Sequence, residues 1–372
     1  MSVGTVVTFL AGLALLVAGA ELLVRGAAGL AVRAGLSAVV IGLTVVAFGT
    51  AAPELAVGTS DAFRGEGNLA VGNVVGSNIA NVLLILGLAA LVGGGLMVHE
   101  RLVRLDVPLM VGASLLVTLL ALDGSFSTIE GGLLLGLLVA SVAWPVRAAR
   151  RESPDVVAEN EDAIDTETLA ATPLVLHLGF ILGGLAGLVV GARWLVSAAT
   201  TVATDLGASE LVIGLTVVAI GTSMPELATS LVAVVRGQRD IAVGNVVGSN
   251  LFNLLCVLGA AALAAPGGIR VAEAAQTFDL PVMTAVAVAC LPVFFDGYVL
   301  RRWEGAVFLA YYVAYLGYLV LDATDHAAAD PFRTAMVGVV LPLTVLTLVV
   351  IGRRAWLAHR AAPAEQRAGP QG

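Results

Sequence analysis

Apolar runs of membrane-spanning length recur along the chain, separated mostly by short polar connections. A spanning helix needs roughly 20 mainly apolar residues, and eleven such runs can be read from the sequence. The strict alternation that is typical of a membrane β-barrel is absent. The pattern therefore predicts an all-α integral membrane protein. The predicted spans are 4–32, 37–62, 68–94, 103–122, 127–147, 173–204, 209–235, 240–264, 278–296, 303–321 and 335–356.

Two stretches of the chain occur twice with the same offset of 172 residues. Residues 42–54, GLTVVAFGTAAPE, return at 214–226 as GLTVVAIGTSMPE, and residues 70–78, AVGNVVGSN, return unchanged at 242–250. Between Ile41 and Leu83, 26 of 43 positions match their counterparts without a gap. Asp106 and its counterpart Asp279 extend the match further. The first five predicted helices therefore correspond to the sixth to tenth.

An odd number of spans in each unit places the two units in opposite orientations across the membrane. Inverted repeats are typical of secondary transporters, whose substrate site lies near the midplane at the repeat interface. We predict ten transmembrane helices as two inverted five-helix repeats, plus an eleventh C-terminal helix without a counterpart. The predicted parts are a first repeat at 1–148, an acidic cytoplasmic linker at 149–172, a second repeat at 173–322, the extra helix at 335–356 and a disordered tail at 361–372.

Composition and charge agree with the membrane prediction and add an orientation. Hydrophobic residues make up 59% of the chain and charged residues 12%, whereas a soluble domain carries about 25% charge. Arginines gather on one side of the predicted topology and leave mainly Arg64, Arg270 and Arg333 on the other. The positive side faces the cytoplasm, so we expect the N-terminus outside and the C-terminus inside the cell membrane. We expect function as a monomer, with no nucleic-acid partner.

Each copy of the first motif places a glutamate directly after a proline within a predicted span. Pro53 and Pro225 remove backbone donors and should break their helices, which frees carbonyl oxygens nearby. A carboxylate at membrane depth is costly and is a candidate functional group by default. Freed carbonyls, hydroxyls and the carboxylates of Glu54 and Glu226 are hard oxygen ligands, which suit Ca²⁺ and Na⁺ rather than soft metals.

The second motif adds amide and hydroxyl oxygens on the following helices. Asn73, Ser77 and Asn81 recur every four residues, as do their counterparts in the second half. Four-residue spacing places each set along one helical face. Small polar residues can also serve only to join helices, and this alternative stays open for the first asparagine of each set. The interpretation favours ion contact for Ser77, Asn81, Ser249 and Asn253.

Counting charges suggests how such a site would work. Empty and ionised, the two glutamates carry two negative charges, which one Ca²⁺, two Na⁺ or two H⁺ would neutralise. Burying an unpaired charge is costly. The binding site should therefore switch its access from one side of the membrane to the other with cargo bound but not when empty. That hypothesis favours an exchanger over a uniporter.

At these residues the chain closely resembles the cation/calcium exchanger superfamily, in particular the prokaryotic sodium/calcium antiporters. Their hallmark is two inverted repeats, each with a Gly-Thr-Ser-x-Pro-Glu motif on a broken helix and a Gly-Ser-Asn motif on the next. The resemblance implies a Ca²⁺/Na⁺ antiporter and not an enzyme, with no cofactor beyond the transported ions. It also implies an ion site formed by Glu54, Glu226, Thr50, Thr222, Ser77, Ser249, Ser223 and the carbonyls of Ala47 and Ala219.

Two departures from the family pattern leave the counter-ion open. Ala51 stands where the motif usually has serine, and Asn253 stands where some sodium/calcium members carry an aspartate. The missing carboxylate puts a three-sodium stoichiometry in doubt. Because burial disfavours the charged form of a carboxyl group, exchange of Ca²⁺ or another divalent cation for H⁺ is the alternative.

Other classes and other charges are less informative. A membrane protease would need a zinc-binding histidine motif or paired aspartates within spans, and neither is present. A channel would leave the inverted broken helices without an explanation. The acidic linker lacks the ligand pattern of an EF-hand. Glu21 and Arg25 are four residues apart and could pair, and Arg193 occupies the place in the second half that Glu21 holds in the first.

Overall fold

The computed structural model describes residues 2–149, 172–295 and 297–340, together with the single positions 342, 345, 346, 349 and 353. Nearly all of the acidic linker at 149–172, half of the extra helix at 335–356 and the tail at 361–372 lie outside the described residues. The described chain is almost entirely helical, with four strands of two residues each.

The helices follow the apolar runs closely. Within the described residues, seven helices are long and apolar enough to cross a membrane, and two bent pairs would raise this number to nine. A further helix, Thr128–Ala149, has a shorter apolar stretch. We number the helices α1 Val3–Ala34, α2 Ala38–Thr50, α3 Ala52–Phe63, α4 Gly67–Val92, α5 Leu102–Asp123, α6 Thr128–Ala149, α7 Leu174–Asp205, α8 residues 210–222, α9 Met224–Val235, α10 Arg239–Ala264, α11 Ala275–Phe295, α12 Arg302–Ala323 and α13 Ala329–Ala335.

Both predicted breaks are present, two residues before the proline of each proline-glutamate motif. The axes of α2 and α3 differ by 45°, and those of α8 and α9 by 58°. Ala51 and Ser223 lie at the two bends, and Pro53 and Pro225 occupy the first turns of α3 and α9. Proline has no backbone N–H group, but the first residues of a helix have no hydrogen-bond partner within the helix for that group, so proline is tolerated there. The prolines therefore lie where one helix has ended and the next begins.

Stretches of π-helix also recur at equivalent positions in the two halves. They lie at Gly42–Val46 and Gly214–Val218, at Asn81–Leu86 and Phe252–Val257, and at Leu102–Asp106 and Ala275–Asp279. A π-helical turn widens the helix and is frequent at functional sites. Since two of the pairs begin at or adjoin the duplicated motifs, the local geometry is duplicated along with the sequence.

The long helices α1 and α7 pack against each other along a seam of glycines. Methyl groups built at Gly12, Gly19 or Gly26 would approach the backbone of α7 to 2.7–2.9 Å. Conversely, a methyl group at Gly184 would lie 2.6 Å from the amide nitrogen of Leu23. In lipid, helices associate through close packing rather than through the hydrophobic effect. The absence of side chains here allows the two backbones to touch over several turns.

Four short strands join the two halves at the ends of the helices. β1, Leu96–Met97, lies between α4 and α5 and pairs with β4, Val299–Leu300, which lies between α11 and α12. β2, Ser125–Phe126, follows α5 and pairs with β3, Ile269–Arg270, which precedes α11. The connection before α5 in the first half thus meets the connection after α11 in the second half.

Candidate functional site

The two glutamates of the duplicated motif are the most deeply buried carboxylates of the described chain. Glu54 and Glu226 each lie in the first turn of a helix and are 1% exposed. Each carboxylate therefore faces the positive end of a helix dipole. Glu226 also lies close enough to Glu54 for the two carboxyl groups to interact electrostatically. The broken helices thus bring the two acidic groups to one place in the interior.

The oxygens of these carboxylates lack protein partners. All four are buried, and none has a hydrogen-bond partner among the described residues. A buried carboxylate without a partner is strongly disfavoured unless a cation or a proton balances it. The pair therefore fits hard cations or protons as ligands, and a purely structural role leaves this arrangement unexplained.

Thr50 links the first broken helix to the second half of the chain. Its hydroxyl oxygen lies 3.2 Å from Oδ1 of Asn245, 3.4 Å from the carbonyl oxygen of Ala47 and 3.4 Å from Oγ of Ser249. The carbonyl of Ala47 also accepts a hydrogen bond from the backbone of Ala51, at 3.0 Å. The structure thus brings Thr50, Ala47 and Ser249 together.

The corresponding group in the second half is more open. The hydroxyl of Thr222 donates to the carbonyl oxygen of Ala219 at 3.0 Å, and Ala219 is exposed. Ser223, at the bend, is 1% exposed, and its hydroxyl has no hydrogen-bond partner within the described chain. The two halves therefore present similar oxygen-bearing groups in different environments.

The polar residues of α4 and α10 lie against the helix breaks of the opposite half. α9, which carries Glu226, packs on the π-helical segment that begins at Asn81, and α3, which carries Glu54, packs on the segment that contains Asn253. Oγ of Ser77 and the amide oxygens of Asn81 and Asn253 are buried without a hydrogen-bond partner in the part of the chain described. Buried oxygens without partners therefore lie on both of the helices that pack against the glutamate helices.

The structure adds polar residues that the sequence interpretation passed over. Oδ1 of Asn250 accepts a hydrogen bond from the amide of Asn81 at 3.0 Å, and the amide of Asn250 lies 3.2 Å from Sδ of Met110. Asn250 belongs to the duplicated Gly-Ser-Asn motif, so the motif itself could have identified it. Thr229 and Ser230 are fully buried on α9, but their counterparts are valine and glycine. A search guided by duplication could not find them.

The set of donors consists of oxygen atoms, which suit hard cations such as Ca²⁺ and Na⁺. Among the described residues, no group of three or more His, Cys, Asp or Glu side chains is placed to hold a metal ion. Ca²⁺ takes six to eight oxygen ligands in flexible geometry, which two carboxylates with neutral hydroxyl, amide and carbonyl oxygens can provide. Few charged ligands favour binding that is reversible.

The charged residues of α1 pair differently from the sequence expectation. Glu21 does not pair with Arg25 but forms a two-pronged ion pair with Arg236 at the end of α9, with both N···O distances at 2.7 Å. Arg25 instead lies over the ring of Phe180, 6.0 Å from its centre. A spacing of four residues could not reveal this, since the stronger partner comes from the other half of the chain.

The fold and the paired buried carboxylates define a polytopic membrane protein with a duplicated polar centre. The family model described as sodium/calcium exchanger protein matches residues 4–147 and 176–321. The chain therefore belongs to the sodium/calcium exchanger family, as the motif resemblance predicts.

Individual relatives agree with this assignment. The chain is 33% identical over 300 residues to the sodium/calcium exchanger MaX1 of Methanosarcina acetivorans, and this match covers 72% of this chain and 85% of the relative. It is 38% identical over 247 residues to the inner membrane protein YrbG of Escherichia coli, covering 65% and 74%. A solved structure of the sodium-calcium exchanger NCX_Mj superposes with a TM-score of 0.70 at 30% identity, covering 84% of this chain and 97% of that one.

Proposed function

We propose that the protein is a secondary active antiporter that exports Ca²⁺ in exchange for Na⁺ at a site near the membrane midplane. The observation that carries the proposal is the duplicated pair Glu54 and Glu226, whose four carboxylate oxygens are buried without protein partners. Membership of the sodium/calcium exchanger family supports the same function.

In this proposal, two inverted five-helix repeats at 1–148 and 173–322 form the transporter. The pairing of the strands supports the inversion. The connection between α4 and α5 corresponds in sequence to the one between α10 and α11, yet it pairs with the connection between α11 and α12. The connection between α5 and α6 pairs with the one between α10 and α11. Because the two ends of α5 lie on opposite faces of a membrane, equivalent connections of the two halves also lie on opposite faces.

Each proposed ligand has a role that follows from its charge. The carboxylates of Glu54 and Glu226 bind Ca²⁺ directly and neutralise it. Neutral oxygens complete the coordination of Ca²⁺ or of Na⁺ ions at the same centre, since hard cations prefer oxygen ligands. These neutral ligands are Thr50, Thr222, Ser77, Ser249, Ser223, Asn81, Asn253 and the carbonyls of Ala47 and Ala219.

Coupling follows from the cost of an uncompensated charge. With cargo released, the centre carries two negative charges in a low-dielectric environment, and enclosing it is disfavoured. Bound Ca²⁺ or its counter-ions remove this cost. The transporter therefore changes its orientation when loaded and returns only with a counter-ion, which is exchange.

A second candidate function is the exchange of Ca²⁺ for H⁺. It is favoured by the neutral side chains of Asn81 and Asn253, which leave two carboxylates as the charge of the proposed site. Two protons neutralise two carboxylates as fully as one Ca²⁺ does.

Asn253→Asp is expected to raise the Na⁺ dependence of Ca²⁺ transport, because a third carboxylate favours a third monovalent cation. The check is Ca²⁺ uptake at graded Na⁺ concentrations, and an unchanged ion dependence would contradict this role of Asn253.

The arginine distribution supports an orientation in the cell membrane with the N-terminus outside and the C-terminus in the cytoplasm. In that orientation α2 begins at the cytoplasmic side and α8 begins outside. Each glutamate helix is part of the same chain, so we propose that one copy of the chain suffices for transport.

The test of the proposed function is uptake of radiolabelled Ca²⁺ into proteoliposomes containing the purified protein. One series imposes a Na⁺ gradient at equal pH, and the other imposes a pH gradient without Na⁺. Uptake driven by Na⁺ alone supports the sodium/calcium antiporter. Uptake driven only by the pH gradient transfers the proposal to the cation/proton exchanger, and uptake driven by neither gradient contradicts both.

A further inference from the structure

The two broken helices have equivalent sequences but are packed differently. α10 contacts α2 along its whole length, from Ala38 to Thr50, whereas α4 makes its substantial contact with α8 near the end, at Ala219–Thr222. Ala47 is fully buried while its counterpart Ala219 is exposed, and Thr50 is buried while Thr222 is half-buried. α2 is therefore packed against α10 of the opposite repeat and is called closed, whereas most of α8 lies apart from α4 and is called open.

The first broken-helix segments α2 and α8, called the two arms below, also differ in how their glycines are packed. A methyl group built at Gly42 would lie 2.9 Å from the carbonyl oxygen of Ile241, and methyl groups at Gly244 and Gly248 would meet the backbone of α2 at 2.8 and 2.6 Å. At the counterparts Gly214, Gly72 and Gly76, the same methyl group would have no atom of the described residues within 4 Å. One seam is fully docked, and its equivalent in the other half is open.

Asparagines within these seams show the same asymmetry. Asn245 lies between Gly244 and Gly248 in sequence, and its amide oxygen lies 3.2 Å from the hydroxyl of Thr50. Its amide nitrogen donates to Oγ of Ser230 at 3.0 Å and lies 3.4 Å from the carbonyl oxygen of Glu226. The amide nitrogen of the counterpart Asn73 is buried without a hydrogen-bond partner among the described residues. The glycines and the asparagines are separate observations, and both distinguish the same two interfaces.

We propose that Asn73 and Asn245 are positioning residues that act in turn. In the structure described here, Asn245 holds Thr50 of the closed arm α2. In the opposite orientation, α8 docks on α4 through Gly214, Gly72 and Gly76, and Asn73 takes the hydroxyl of Thr222, while α2 leaves α10. The inference rests on the proposed antiport, since it assigns the two arrangements to the two orientations of the transporter.

The two states are not equally supported by their asparagines. Asn245 has an additional partner in Ser230, whereas the counterpart of Ser230 is Gly58, which offers Asn73 no hydroxyl. Asn245 is therefore held in place by a side-chain hydrogen bond to α9 that Asn73 cannot match. With α2 beginning at the cytoplasmic side, this closed arm blocks the inner side and the open arm α8 leaves access from outside.

The glycine seam gives the first test. Gly214→Ala adds a methyl group that meets open space in the observed state but would separate α8 from α4 in the other. Expected is a thermal midpoint equal to that of the unmodified protein, with Ca²⁺ exchange reduced at least about tenfold, since overpacked backbone contacts disfavour a docked state. Gly112→Ala, on α5 and equally surrounded by open space, is the matched control. Normal exchange by Gly214→Ala would overturn the docking proposal.

The asparagines give a second test that does not depend on transport. Spin labels on cysteines introduced at Glu66 and Ser209, which are exposed beside α4 and α8, report the distance between the arms by pulsed electron resonance. Asn245→Ala should raise the ratio of short to long distances at least about threefold, because it removes net hydrogen bonds from one state. Asn73→Ala should lower that ratio. Shifts in the same direction, or no shift, would overturn the proposal.

The two measurements separate the failure of this inference from the failure of the proposed function. Opposite distance shifts in a protein that exchanges no Ca²⁺ would uphold the alternating asparagines and contradict the antiporter. If the protein exchanges Ca²⁺ but neither Gly214→Ala nor the asparagine substitutions change exchange or the distances between the labels, the antiporter is upheld. The proposed alternation of Asn73 and Asn245 is then contradicted.

Discussion

Replacing either Glu54 or Glu226 with glutamine is expected to abolish Ca²⁺ exchange while leaving a folded protein. The substitution keeps the size of the side chain and removes one of the two negative charges that the proposal assigns to cation binding. Loss of a buried charged partner costs about 3 kcal/mol or more, which corresponds to an activity of about 1% of the unmodified protein or less. The measurement is initial uptake of radiolabelled Ca²⁺ by proteoliposomes with matched protein content.

The control is Glu66→Gln, which removes a carboxylate from an exposed position between α3 and α4. This variant should retain uptake, because its charge is solvated and remote from the bend. Size-exclusion chromatography of each purified variant separates loss of function from loss of folding. Near-normal uptake by both buried variants would remove Glu54 and Glu226 from the proposed site.

Changing Gly184 to leucine is expected to prevent stable folding. A methyl group at this position would already lie 2.6 Å from the amide nitrogen of Leu23 and 2.7 Å from the carbonyl oxygen of Gly19. Backbone atoms cannot move aside as a flexible side chain can, so α1 and α7 must separate. The expected loss of stability is at least about 3 kcal/mol, at the upper end of the usual cost of overpacking.

The neighbouring residue provides a closely matched control for this prediction. A side chain at Gly183 would meet open space, so Gly183→Leu should leave folding nearly unchanged at the same level of added hydrophobicity. The thermal unfolding midpoint in detergent and the fraction of monodisperse protein are the readouts. Equal behaviour of the two variants would show that the glycine seam does not determine the packing of α1 on α7.

Much of the fold could be predicted because membrane burial and duplication both leave clear signals in the sequence. Apolar length located the spans, and the proline before each glutamate located the bends at Ala51 and Ser223. The family assignment by the doubled motifs was confirmed. The ligand roles of the predicted site residues stay predictions, although the structure places Thr50 beside Ala47 and Ser249.

What the sequence did not reveal depends on contacts between distant residues. The partner of Glu21 is Arg236, which lies 215 positions away, so a search for pairs along one helix selected Arg25 instead. Ser230 has no duplicated counterpart and therefore no repeat signal. The different packing of α2 and α8 could not be predicted at all, because nearly identical sequences adopt different environments and a repeat does not specify which copy is closed.

The account depends most directly on the claim that the empty transporter cannot return. The decisive measurement is efflux of radiolabelled Ca²⁺ from loaded proteoliposomes into two media, one free of Ca²⁺ and Na⁺ and buffered at the internal pH, the other containing unlabelled Ca²⁺. Efflux is predicted to be slow in the first medium and at least about tenfold faster in the second, because only a neutralised site can be enclosed. Equal rates in the two media that also stay unchanged when the external pH is varied, so that H⁺ is excluded as the counter-ion, would contradict obligatory exchange and make the protein a uniporter or a channel.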